Sequence, residues 1–513
     1  MSGDNTRANG RARPSWLGLR PETLLSLVGI VALLVPLSLL SQPADSEGSG
    51  GVLARMRKAR GLSQANLGEI DPAGETMRFA TLGLKNVATT LLWDRANHYK
   101  KVEDWANLSA TLEQLTKLQP NFYSVWDFQA HNLSYNISVE FDDYRDRYAW
   151  VIKGIEFLRQ GIALNRFDPR LLGRMGWFIG HKIGKSDEKA EFRPMFIADD
   201  DFHEQDDPQR TIPERDNWLV SRTKFVQGQQ LADSGAPLKT TPLIFHSEPM
   251  MSAINYGKAL EEDGTFGTAA RRAWELAGDE MRRFAMREIP TSWNVPIRLG
   301  LQEAEQARAK RLAEELETLL PGRFVALQQE RREGLTAEQK AALEVAAMER
   351  TDEQLERAYA AETALKVTWK EVARAAPAEL RQQAWGLALA EAEARETADI
   401  VARYRDIVNF DLWRATCEAE VTEPALRARE LTWKADREFA AARLQAAREA
   451  YEAAFKAWRE VFDNSQVLRE DPITAEDTAE IVDRYRTLLE QLDEPFPSPF
   501  ILDDILALTM PQG

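Results

Sequence analysis

Between Thr89 and Gly184 one pattern of small and large residues returns three times in the same register. The stretch from Thr89 to Phe122 is a 34-residue unit with Leu92, Ala96 and Tyr99 at its fourth, eighth and eleventh places and Pro120 at its thirty-second. A second unit opens at Tyr123 and puts Trp126, Ala130 and Leu133 at the same three places. A third opens at Pro169 with Leu172, Gly176 and Ile179. A small residue at the eighth place lets a partner helix approach closely, and large residues at the fourth and eleventh fill the space beside it. Such a period predicts a stack of helix pairs.

On these residues the chain resembles the tetratricopeptide (TPR) repeat family. The resemblance departs from the family pattern at Leu108 and Leu115, where small residues are usual, and at a lengthening around Val139 to Arg147 in the second unit. In that unit Gly154 and Gly161 supply the small positions of the second helix. The resemblance implies a right-handed helical stack with a concave binding groove and no catalysis. It places Trp93, Asn97 and Lys101, then Asp127, His131 and Tyr135, then Trp177 and His181 on the concave side.

The stretch is helical throughout in its apolar spacing: Trp105, Leu108, Leu112, Leu115 and Leu118 share one face, and Tyr148, Val151, Ile155, Leu158 and Ile162 another. Before it, residues 1–22 are polar and carry Arg7, Arg11, Arg13 and Arg20, and Thr23 to Ser41 is an uncharged run rich in Leu and Val. As a helix that run spans about 28 Å, enough for a bilayer. No small-x-small cleavage pattern follows, so an uncleaved transmembrane anchor is expected. The nearer basic residues are the upstream arginines, which predicts a cytoplasmic amino terminus and an extracytoplasmic body on a bacterial inner membrane.

Residues 42–76 read as a linker and juxtamembrane segment. Ala59 to Gln64 resembles the first helix and turn of repressor-type DNA-binding domains, but no second helix with side chains for base edges follows. A net charge of -16 also disfavours phosphate backbones, so nucleic acid is not an expected partner. The single cysteine, Cys417, excludes an internal disulfide and any site built from several cysteines.

After the repeats (77–185), residues 186–300 read as an irregular insert with short helices. It holds His203 among Asp199, Asp200, Asp201, Glu204, Asp206 and Asp207. Counted from Asp199, a calcium loop would need glycine where Glu204 stands and glutamate where Arg210 stands, so a solvated charge run is the reading and no metal or cofactor is expected. Residues 301–410 have the Ala, Glu, Arg and Gln content of long charged helices, broken at Pro321-Gly322, Gly334 and Pro377. Residues 411–513 form a further helical region, with a break at Pro424.

The expected fold class is therefore all-α: a TPR-like stack with a long helical C-terminal extension and one N-terminal transmembrane helix. The phrases Asp206-Asp207-Pro208, Asn217 to Val220 and Ile289 to Trp293 also resemble a bacterial group of anchored repeat proteins, which implies architecture and no mechanism. Without a nucleophile elbow, phosphate loop or metal signature, no catalytic residue is assigned. The expected function is a membrane-anchored scaffold or adaptor that binds other proteins or peptides. Two alternatives are a sensor for a small ligand or a metal such as iron, through the histidines and acidic run, and a hydrolase within 186–300.

Overall fold

The computed structural model describes residues 85–292 and 295–509, together with Ala32. Apart from Ala32, the expected anchor Thr23 to Ser41 lies outside these residues, as do the polar tail and the linker. Among the described residues the chain is helical without strands, apart from an isolated antiparallel bridge between Ile289 and Ile297. No described helix is long and apolar enough to cross a membrane. The chain divides into two compact units, one reaching to Arg174 with Leu231–Pro237, the other comprising Met175–Gln230 and Leu238 onward.

In the first unit α1 (Lys85–Lys101) and α2 (Trp105–Leu118) form a helical hairpin. Asp104 caps α2 by accepting from the Asn107 amide at 3.2 Å, satisfying one of the free N–H groups at a helix start. The hairpin closes on Leu92, Ala96, Leu108, Leu112, Leu115 and Leu118, joined by Val125 of the next helix. That helix, α3 (Tyr123–His131), runs on through a π-helical turn (Asn132–Ile137), and α4 (Tyr144–Leu164) packs back against both.

The small residues do what their spacing predicts. A methyl group at Gly154 would collide with the Ser134 hydroxyl and sit 2.8 Å from the Ala130 carbonyl; at Gly161 it would sit 2.8 Å from the Trp126 ring. The eighth-place alanine and fourth-place tryptophan of the first helix thus meet the two glycines of the second. The lengthened segment is folded onto its surroundings: Asp143 caps α4, Arg147 donates to the Phe141 carbonyl at 2.5 Å, and Glu140 accepts from the Trp105 indole at 3.0 Å.

Helix α5 (Pro169–Trp177) also continues as a π-helical turn, Phe178–Ile183. In the second unit α6 (Lys189–Ile197) and α7 (Asp200–Asp206) precede α8 (Asn217–Asp233), which lies along this turn. Gly176, at the eighth place of its repeat, faces the Ser221 carbonyl and the Phe225 ring, while Gly180 and Gly184 face Trp218. The second helix of the third pair is therefore α8, displaced along the chain by the segment that carries α6 and α7.

Next come α9 (Pro242–Glu262) and α10 (Thr268–Met286), a hairpin in which Gly257 meets Trp274. Helices of 17 and 21 residues thus occupy a region where short ones were expected. The prolines there do not interrupt them as their frequency suggests: Pro242 stands in the first turn, where its missing N–H costs nothing, and Pro249 is accommodated inside α9.

The remainder is α11 (Gln302–Leu319), α12 (Arg323–Glu333), α13 (Ala337–Glu344), α14 (Asp352–Leu365), α15 (Trp369–Arg374) and α16 (Ala378–Ile407). It closes with α17 (Phe410–Glu420), α18 (Glu423–Ala440), α19 (Leu444–Asn464), α20 (Gln466–Glu470), α21 (Pro472–Gln491) and α22 (Asp503–Leu506). Breaks fall at the expected prolines and glycines, and Gly322 adopts a left-handed φ of 71° that favours glycine. The α18–α19 hairpin with α21 builds a core around Tyr451, Phe455, Phe462 and Tyr485, so the aromatic stripe there is packing.

Candidate functional site

In the first unit the fourth and eighth places of α1 and α3 point inward, and Leu92, Ala96, Trp126 and Ala130 are buried. The neighbouring fifth, ninth and thirteenth places all keep solvent contact: Asn97, Lys101 and His131 are exposed, and Trp93, Asp127 and Tyr135 are half-buried. One face of the helices thus carries rings and charges beside an apolar interior.

The residues on that face fall into two groups. Trp93 stands edge-on to Phe122 and Phe128, with ring centroids 6.1 and 6.2 Å away, and Lys100 lies 4.8 Å over the Phe128 ring. His131 stacks on Tyr135 one turn later, 4.7 Å between centroids and 14° from parallel. Asp127 pairs with Arg174 of α5. Burial pushes the Tyr135 phenol up to about 12 against the opposing charge of Arg174, so it stays a neutral hydrogen-bonding group at physiological pH.

Three residues that sequence reasoning did not select complete this second group. Arg170 lies 4.2 Å over the Tyr123 ring and is held by Asp168 at 2.5 and 2.9 Å, while Arg174 pairs with Asp127. Burial, then the nearby Asp127 charge, pushes the Tyr123 phenol up to about 12. The second place of the repeat is also a concave position in the TPR family, and Arg170 stands there in the third unit, so the signal was present. Beneath the face a buried polar chain runs from Ser109 to Gln129 (2.5 Å), on to Asn132 (3.4 Å) and Asn136 (3.1 Å).

In the second unit Trp177 and His181 are brought together at 5.0 Å and 17° from parallel, and His181 meets Trp218 edge-on at 6.0 Å. This pair holds the same ninth and thirteenth places as His131 and Tyr135, and both pairs span the junction into a π-helical turn. Such turns leave carbonyls displaced from their usual partners. Here the Asn217 amide donates to the carbonyls of Ile179 and Gly180, both at 3.3 Å, and is itself held by Arg193, which is ion-paired with buried Asp216.

The acidic run has structural duties. Asp199 caps α7, and Asp200 receives Arg215 at 2.6 Å. Asp206 is buried between Arg210 at 2.8 Å and Lys224 at 2.5 Å. The His203 ring meets the Phe196 carbonyl through Nε2 at 2.8 Å, where it must donate, and accepts from Arg210 at Nδ1 (3.1 Å). Burial lowers its pKa and the two arginines nearby lower it further. Among the described residues no three His, Cys, Asp or Glu side chains are grouped to hold a metal ion. Cys417 is buried in the second unit, and burial pushes its thiol up to about 12, away from nucleophilic reactivity.

No protein-family model matches the chain, and no curated protein matches its sequence.

Proposed function

We propose that the protein is a membrane-anchored helical-repeat scaffold, TPR-like in its helix pairs, that holds a segment of another protein against the face formed by α1 and α3. The observation that carries this reading is the solvent access kept by the fifth, ninth and thirteenth places of the first two repeats while their fourth and eighth are buried. A helix pair that served packing alone would need no rings on its outer face. The basic last turn of α1, with His98, Lys100 and Lys101, beside Trp93 and the His131–Tyr135 stack, suits a peptide carrying carboxylates and aromatic rings. Attachment to a bacterial inner membrane, with the body outside the cytoplasm, rests on the apolar run Thr23 to Ser41 and the arginines before it.

The test uses the full chain in its native membrane with a photocrosslinking residue at Asn97. A discrete adduct is expected, and the double variant K101A/H131A should abolish it while leaving stability within about 0.5 kcal/mol, since exposed sites cost little. An adduct indifferent to both substitutions, or unfolding by more than about 2 kcal/mol, would sink the reading.

A further inference from the structure

One cavity of the second unit is lined by a buried carboxylate with one unpartnered oxygen and by a lysine that forms no ion pair among the described residues. Glu420, at the end of α17, is buried, with only 4% of its side chain exposed. Its Oε1 accepts both Nε (3.1 Å) and Nη2 (2.5 Å) of Arg429. Its Oε2 is buried with no hydrogen-bond partner. A carboxylate oxygen left in that state costs more than an ordinary hydrogen bond returns, and calls for a donor. The same cavity is lined by Lys258 of α9. Its ammonium lies 5.4 Å over the Trp413 ring, and among the described residues it forms no ion pair.

The cavity between them measures about 70 Å³. At roughly 10–15 Å³ for each enclosed water, that is room for about five or six small heavy atoms. Apart from these two groups, Arg429, and the polar Thr416, Thr474, Asp477 and Thr478, its wall is apolar, including Leu412, Phe462 and Ile473. A lone ammonium would satisfy Glu420 but meet Lys258 and Arg429. A lone carboxylate would satisfy Lys258 but meet Glu420. An uncharged apolar molecule would leave both groups as they are. A molecule with an ammonium and a carboxylate on one carbon answers both at once.

We propose that this cavity binds a small free α-amino acid, of glycine or alanine size, whose ammonium donates to Glu420 Oε2 and whose carboxylate accepts from Lys258 Nζ. The side chain then lies toward Leu412 and Phe462. The site stands apart from the scaffold face, and neither reading depends on the other. Because the cavity is walled by side chains from α9, α17, α18, α19, α20 and α21, occupancy joins helices distant in sequence and stabilises their arrangement by an amount that rises with the logarithm of ligand concentration above Kd.

Titration calorimetry and thermal unfolding of the full chain in detergent decide it, with glycine, alanine, serine and valine as probes and methylamine and acetate as single-charge controls. One site is expected, with at least one amino acid binding about tenfold or more tightly than either control. E420Q and K258M should each weaken it by at least about tenfold. K258M guards against a folding defect in E420Q, since Lys258 has no ion pair to lose. No heat and no rise in melting temperature with any amino acid at about 10 mM, an equal response to methylamine or acetate, or unchanged binding by K258M would each overturn the assignment.

Discussion

Gly161 of α4 lies against the indole of Trp126 so closely that an added Cβ would come within 2.8, 2.9 and 3.0 Å of three ring carbons. The indole cannot retreat, because its Nε1 donates to the Pro120 carbonyl at 2.8 Å and its ring packs on Phe157 at 4.8 Å. G161A should therefore destabilise the first unit by about 1–3 kcal/mol despite alanine's better helix propensity, and G161L by more. Chemical denaturation followed by tryptophan fluorescence measures this; a stabilised G161A would mean that the two helices do not meet here.

Asp206 should be the most sensitive carboxylate of the acidic run. Burial alone would raise its pKa, but Lys224 and Arg210 outweigh burial and hold it below the usual range. A depressed folded pKa stabilises above the unfolded value and is lost as pH falls through the folded one. D206A leaves two buried cations without their counter-charge and should cost about 3–5 kcal/mol at neutral pH. D201A, on an exposed neighbour in the same helix, should cost under about 0.5 kcal/mol. Comparable losses would contradict the burial of Asp206.

Both nitrogens of the His203 ring are engaged, one by the Phe196 carbonyl and one by Arg210. Ferrous iron or zinc should accordingly leave the melting temperature unchanged. A rise of several degrees with metal, abolished by H203A, would revive the sensor alternative.

Glu261 should make stability fall as pH rises toward neutrality. Burial, reinforced by the charge of Glu420, pushes its pKa from 4.5 up to about 7. The folded state then holds a proton that the unfolded chain releases, so unfolding stability declines between those two values by as much as about 1.4 kcal/mol per pH unit. E261Q keeps an oxygen for the Trp274 indole, which donates to Glu261 at 2.8 Å, and removes the titration. Its advantage over the native chain should grow from pH 5 to pH 7, read by urea titration at each pH; a constant difference would show that Glu261 ionises normally.

The helical class and the pairing of α3 with α4 were legible because Trp126, Ala130, Gly154 and Gly161 encode one contact from both sides. The third pair was harder, since Gly176 announces a close approach but its partner, Ser221 with Phe225, follows only after α6 and α7. The helix starts at α13, α14 and α15 were in fact written out: Thr336 with Gln339, Thr351 with Gln354 and Thr368 with Glu371 are capping boxes. The first follows the expected break at Gly334, but the other two fall between Gly334 and Pro377, where composition gives no glycine or proline to mark them. Of the candidate face, ring stacking at the ninth and thirteenth places follows from helical spacing, whereas the Asp127–Arg174 ion pair joins helices far apart in sequence.

The π-helical turns Asn132–Ile137 and Phe178–Ile183 each hold one residue more than an α-helix would need for the same hydrogen-bonded loop. A deletion that removes one residue from either turn need not destroy the helix, because the backbone can close into the ordinary pattern. Because the residue is in surplus there, everything downstream would keep nearly its present direction, whereas the same deletion in an α-helical stretch would rotate it by about 100° about the helix axis. These two turns are therefore points of tolerance in length: one codon lost there leaves a fully helical chain whose side chains beyond the turn keep their direction, and one codon lost a few residues away does not.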